Sequence, residues 1–132
     1  MSAAAQNGYR LLVVEDDREL CESIADVLRY TGYEVQTALD GETALDLLRR
    51  APAPDAILLD LVLPTMSAAE LLKALDHAEA HPPVVLMTGL AQGLRGPFTL
   101  SDVLMKPFGI EQLLSRVARA CGNPDLDEDP DA

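Results

Sequence analysis

The chain has 132 residues, 48% of them apolar, and a formal net charge of −12. That length holds one domain with an ordinary core, and the acidic balance argues against a protein that grips a nucleic-acid phosphate backbone. No apolar stretch reaches membrane-spanning length, and the opening MSAAAQNGYR lacks the basic start and apolar run of a secretory signal, so a cytoplasmic protein without membrane insertion is expected.

The first apolar run, YRLLVV (9–14), predicts a strand. DRELCESIADVLRYTG (17–32) carries Leu20, Ile24, Val27 and Leu28 at helical spacing, and Gly32 is placed to end that helix in a left-handed conformation. YEVQTA (33–38) alternates as a half-buried strand does. DGETALDLLRR (40–50) has Ala44, Leu45, Leu47 and Leu48 on one helical face, and the proline-rich APAP (51–54) breaks it. DAILLD (55–60) is the third strand. SAAELLKALDHA (67–78) opens on a capping box, Ser67 and Glu70. PPVVLMT (82–88) predicts a fourth buried strand. GLAQGLRGPFT (89–99) holds three glycines and a proline, too many for a good helix. LSDVLM (100–105) is a fifth strand. GIEQLLSRVARAC (109–121) places Ile110, Leu113, Leu114, Val117 and Cys121 on one stripe.

Apolar strands alternating with amphipathic helices predict an α/β fold, a parallel sheet covered on both faces. The element that should lie between the fourth and fifth strands is expected to be a short helix or a loop. Residues 1–8 are expected to be a flexible N-terminus. The tail GNPDLDEDPDA (122–132) carries five of the 22 acids and one large apolar residue, and is expected to be disordered. Cys21 and Cys121 fall at opposite ends of helices that share one face, too far apart for a disulfide. His77 and His81 have no ligand-spaced partner and are expected on the surface.

The polar residues fall at strand ends. Glu15 and Asp16 follow the first strand, Asp60 ends the third, Thr88 ends the fourth and Lys106 follows the fifth. In a doubly wound sheet of order 2-1-3-4-5 the first and third strands are neighbours, so Glu15, Asp16 and Asp60 share the crevice outside their carboxyl ends. Crowded carboxylates need raised pKa values or a cation, and hard oxygen donors with open positions suit Mg²⁺. Thr88 and Lys106 offer a hydroxyl and an ammonium to an arriving anion. Asp60 would then be a carboxylate nucleophile forming an acyl phosphate. Taken singly, these residues have plainer readings: Glu15, Asp16 and Asp17 favour a helix N-terminus, Thr88 closes a strand, and Lys106 is solvated. Only Asp17 is assigned the capping role here.

VVEDD, LLDLVLP, MTG and KPF, in that order over residues 9–121, resemble the response-regulator receiver domain of two-component signalling. The resemblance implies a flavodoxin-like sheet with Asp60 as phosphoacceptor, and with Asp16 as a direct Mg²⁺ ligand. Glu15 matches an acid acting through a metal-bound water, and the main-chain carbonyl of Val62 a further ligand. Thr88 and Lys106 match the phosphoryl-binding pair, with Lys106–Pro107 a cis bond. It also implies a histidine kinase or histidine phosphotransfer protein as phosphodonor, and a module that catalyses only its own phosphorylation and dephosphorylation. A stand-alone regulator signalling through protein contacts is expected. The alternatives are a phosphate sink for a shared kinase and a non-phosphorylated pseudo-receiver. A phosphatase of the haloacid-dehalogenase type would need a second acid where Val62 stands.

Three departures from the receiver pattern matter. Pro64, Thr65, Met66, Ser67 and Ala68 lack the two glycines usual after the phosphoacceptor. Val103 stands where an aromatic switch residue is usual, and Thr88 and Lys106 are only 18 residues apart. The glycine-rich segment 89–99 is therefore expected to act as the switch. Val62 and Leu90, two residues beyond Asp60 and Thr88, are apolar and cannot orient an attacking water, so slow loss of the phosphoryl group is expected.

Overall fold

Five-residue apolar runs are too short for stable helices and satisfy their backbone groups by pairing. In the computed structural model of the chain they form β1 (Arg10–Val14), β2 (Glu34–Ala38), β3 (Ala56–Asp60), β4 (Val84–Thr88) and the shorter β5 (Val103–Met105). The structure describes residues 8–50, 52–61, 63, 68–75, 82–89 and 103–122. All four strand pairings are parallel, in the order β2-β1-β3-β4-β5 expected of a doubly wound sheet. The helices are α1 (Arg18–Thr31), α2 (Gly41–Leu48), α3 (Ala68–Leu75) and α4 (Ile110–Cys121).

Local chemistry sets the helix ends. Asp17 caps α1, its Oδ1 accepting the Leu20 N–H at 3.2 Å, and Asp40 caps α2 by accepting the Thr43 N–H at 2.7 Å. Gly32 ends α1 at φ 113°, a conformation that costs a side-chain-bearing residue dearly. The Gln112 side chain accepts the Gly109 N–H at 3.0 Å and secures the start of α4.

Alternation along the strands sorts the core into two layers. Leu11, Val13, Leu58, Val85 and Met87 face Cys21, Ile24, Leu28, Leu113 and Val117 of α1 and α4. Leu12, Val14, Ile57, Leu59 and Leu86 face Ala44 of α2 and Leu71 of α3. Each fully buried Leu or Ile contributes about 1.5–3 kcal/mol relative to exposure, so the sheet is a firm platform for whatever its strand ends carry. Val103 is partly buried against the second layer.

One feature of the expected helical stripe is corrected. Ile110 is 59% exposed, because the first turn of α4 starts ahead of the covered part of the helix. Ser115 and Ala118 are buried instead. The Ser115 Oγ has no hydrogen-bond partner among the described residues. Cys21 and Cys121 are free thiols, as expected. Burial pushes them up to about 11 and about 12, respectively. Apart from Gly8 and Gly122, the expected flexible N-terminus and acidic tail lie outside the described residues. So do Val62, Ser67, His77, His81, Leu90 and, apart from Gly89, the segment 89–99. No described helix is long and apolar enough to cross a membrane.

Candidate functional site at the carboxyl edge of the sheet

β1 sends its connection to the α1 face, whereas β3 leads to α3 on the opposite face. The chain parts there, and the gap above the two strands is the crevice that doubly wound sheets use for ligands. Backbone bonds carry the ladder past the strand ends and fix what stands there. Glu15 N donates to Ala38 O at 3.1 Å, Leu61 N to Met87 O at 3.0 Å and Lys106 N to Thr88 O at 2.7 Å.

The residues singled out from the sequence converge. Carboxylate oxygens of Glu15, Asp16 and Asp60 all lie within 4.8 Å of one another. Glu15 is 1% and Asp60 7% exposed, while Asp16 faces solvent. Thr88 closes β4, one strand from Asp60, and is buried. Lys106 reaches into the cluster from beyond β5: Nζ stands 2.5 Å from Glu15 Oε1 and 3.7 Å from Asp60 Oδ2. The Lys106–Pro107 peptide is cis, as the resemblance implied. Asp17 lies at the rim as the cap of α1, the role read from the sequence.

Electrostatics follow from this crowding. Burial pushes the Glu15 carboxyl above its ordinary range. The Lys106 ammonium and the Asp17 N–H pull it back, and neighbouring Asp60 adds to the rise. For Lys106, burial alone would favour the neutral amine. The hydrogen bond to Glu15 and the charges of Asp60, Glu15 and Asp16 outweigh it, and the lysine is held above its ordinary value. Among the described residues, one ammonium thus faces three carboxylates. Oxygen-only donors, two buried and one open to solvent, suit a hard divalent cation that keeps several waters, so the donor set fits Mg²⁺. The pairing of Glu15 with Lys106 was missed by the sequence reading. The two residues are 91 positions apart, and no local pattern links them.

Comparison with known proteins agrees with this geometry. The family model for the response regulator receiver domain matches residues 11–118. The response regulator MprA of Mycobacterium sp. (strain KMS) is 35% identical over 127 residues, which covers 93% of this chain and 55% of the relative. That of Mycolicibacterium vanbaalenii is 36% identical over 112 residues, 82% of this chain and 48% of the relative. The chain therefore spans about half the length of the curated relatives it matches. Among solved structures, the receiver domain from the hybrid histidine kinase CckA superposes with a TM-score of 0.71 at 32% identity, covering 85% of this chain and 98% of that one. The chemotaxis response regulator CheY4 of Vibrio cholerae gives 0.72 at 28% identity, with the same coverage. Sheet order, strand-end acids and sequence similarity agree, and the chain belongs to the receiver-domain family of two-component response regulators.

Proposed function

We propose that Asp60 is the phosphoacceptor and that the chain passes its signal on through protein–protein contacts. The observation that carries the reading is the setting of Asp60: a buried strand-end carboxylate with an ammonium 3.7 Å away and two further acids beside it. The phosphodonor is a phosphohistidine on a histidine kinase or histidine phosphotransfer protein. An Asp60 carboxylate oxygen attacks phosphorus in line, a P–O bond forms, the P–N bond breaks, and the imidazole leaves with its electron pair and takes up a proton. Lys106 neutralises the phosphoryl oxygens, and Thr88 offers them a hydroxyl from the neighbouring strand end. Asp16 and Asp60, with Glu15 and the Val62 carbonyl that the resemblance adds, would hold Mg²⁺, which when bound offsets the charge shared by nucleophile and phosphoryl group. A cytoplasmic setting, in which thiols stay reduced, accords with two free cysteines.

Acetyl phosphate with Mg²⁺ tests this. Intact-protein mass spectrometry is expected to show one added phosphoryl group, absent in Asp60→Asn. An adduct that persists in that variant overturns the assignment, and continuous turnover of the donor would instead reveal a phosphatase. With apolar Val62 and Leu90 at the two flanking positions, the adduct should be long-lived. Rapid loss in Mg²⁺, unaltered by Val62→Asn, would contradict that expectation.

A further inference from the structure

At β5 the buried pocket borders on open surface. Thr88 closes β4 and is 4% exposed, whereas its register partner on β5, Met105, is 44% exposed. The two strands run parallel, so register partners stand side by side with their side chains on one face of the sheet. That face is the second core layer, to which Leu86, two residues before Thr88, belongs. A buried hydroxyl next to the phosphoacceptor strand thus has, one strand over, a large apolar side chain left in water.

The residues around Thr88 on that face differ in how far they can move. Leu86 is fully buried. Leu61, past the end of β3, is partly buried in the same layer, and its N–H donates to Met87 O at 3.0 Å. Val103 is partly buried there too, and a β-branched side chain has little freedom at χ1. Met105 is unbranched and flexible, and it still has apolar surface to bury. The strand ends need not part for it to turn, because the Lys106 N–H holds Thr88 O at 2.7 Å through the backbone.

We infer that Met105 is the residue that reports the state of Asp60 at the surface. When the phosphoryl group engages the Thr88 hydroxyl, Thr88 gives up space on the second-layer face. The Met105 side chain turns in from solvent and fills that space against Leu86. Phosphorylation thereby removes an apolar contact point from the surface beside β5. The inference rests on the phosphoacceptor reading and adds to it the place where the change is felt outside the pocket.

Methyl NMR on the full chain tests this. With ¹³C at the methionine methyls the protein gives four signals, and Met105→Leu identifies the one in question. In the unphosphorylated chain that signal should broaden strongly with a soluble paramagnetic agent. After conversion by acetyl phosphate and Mg²⁺, followed by intact mass, it is expected to shift, to lose most of that broadening and to gain a cross-peak to the Leu86 methyls. The Thr88 methyl should shift in the same step. Met87, buried in the opposite layer, should stay protected in both states and serves as the internal reference. Three results would overturn the inference: a phosphorylated chain in which Met105 stays exposed, a Met105 already covered before conversion, or a Met105 that becomes covered while the Thr88 methyl keeps its original shift. A chain that takes up no phosphoryl group sinks the parent reading and this one with it, whereas an adduct with an unchanged Met105 sinks this one alone.

Discussion

The two edges of the sheet use charge in opposite ways. At the amino edge Arg10 Nε meets Glu34 Oε2 at 2.6 Å, and Asp55 Oδ2 accepts the Arg10 backbone N–H at 2.7 Å. These side chains are well solvated, with Arg10 and Glu34 exposed by 47% and 39%. At the carboxyl edge Glu15 and Asp60 are buried, and among the described residues the Lys106 ammonium answers them and Asp16. A solvated pair near balance pins a strand end and contributes little else. A buried cluster short of positive charge costs stability, and such a deficit would favour the binding of a cation.

The sharpest test is to change the charge count at the carboxyl edge in both directions. Lys106→Met leaves two buried acids without their counterion and should destabilise the metal-free protein at neutral pH by about 3 kcal/mol, the low end for a broken buried pair because the lysine is partly solvated. Asp60→Asn removes one of the crowded acids and should raise the thermal midpoint while abolishing the adduct. Urea unfolding of both variants in chelator reads the two signs. If both changes destabilise alike, the pocket is not short of positive charge.

Cation binding should restore what the cluster costs. Mg²⁺ at about one hundred times its dissociation constant is expected to stabilise the native state by about 2.7 kcal/mol, visible as a rise in thermal midpoint. The rise should shrink in Asp16→Asn at equal Mg²⁺. An equal rise in that variant would place the bound ion elsewhere on this acidic chain.

A third test concerns a helix cap beyond the carboxyl end of β2. The Asp40 carboxyl lies below its ordinary range, chiefly through the hydrogen bond from the Thr43 N–H. A lowered folded-state value means that the stabilisation is present above the unfolded value of about 3.9 and fades as pH falls through the folded one. Asp40→Ala should therefore cost about 1 kcal/mol at neutral pH, and the difference from the parent should close in acid. A difference independent of pH would mean that the loss is one of packing and not of the cap.

How far the sequence disclosed all this depends on the range of each interaction. Asp17 and Gly32 bound α1 through contacts three or four residues away, and both were legible. The strand ends were legible as well, since a charge after a run such as AILL has nowhere to go but the sheet edge. The receiver resemblance supplied the chemistry that joins those ends. Periodicity set the phase of α4 but not where its cover begins, which is why Ile110 was expected inside and Ser115 was not. The grip of Glu15 on Lys106 depends on four strands, β1, β3, β4 and β5, lying side by side, and no window of sequence contains it.

The smallest expected effect completes the contrast. Arg10 and Glu34 make a short ion pair across β1 and β2, so distance alone would suggest a strong contribution. Solvation argues otherwise: an exposed pair gains little Coulomb energy over water and gives up side-chain freedom, leaving about 0.2–1 kcal/mol. A double-mutant cycle with Arg10→Ala and Glu34→Ala should give a coupling in that range, and it should fall further in high salt. The corresponding cycle on Lys106 and Glu15, at nearly the same separation but largely out of water, should give a larger coupling that salt moves less. Equal couplings at the two edges would show that burial does not set the worth of these charges, and the case for a poised pocket would lose its physical basis.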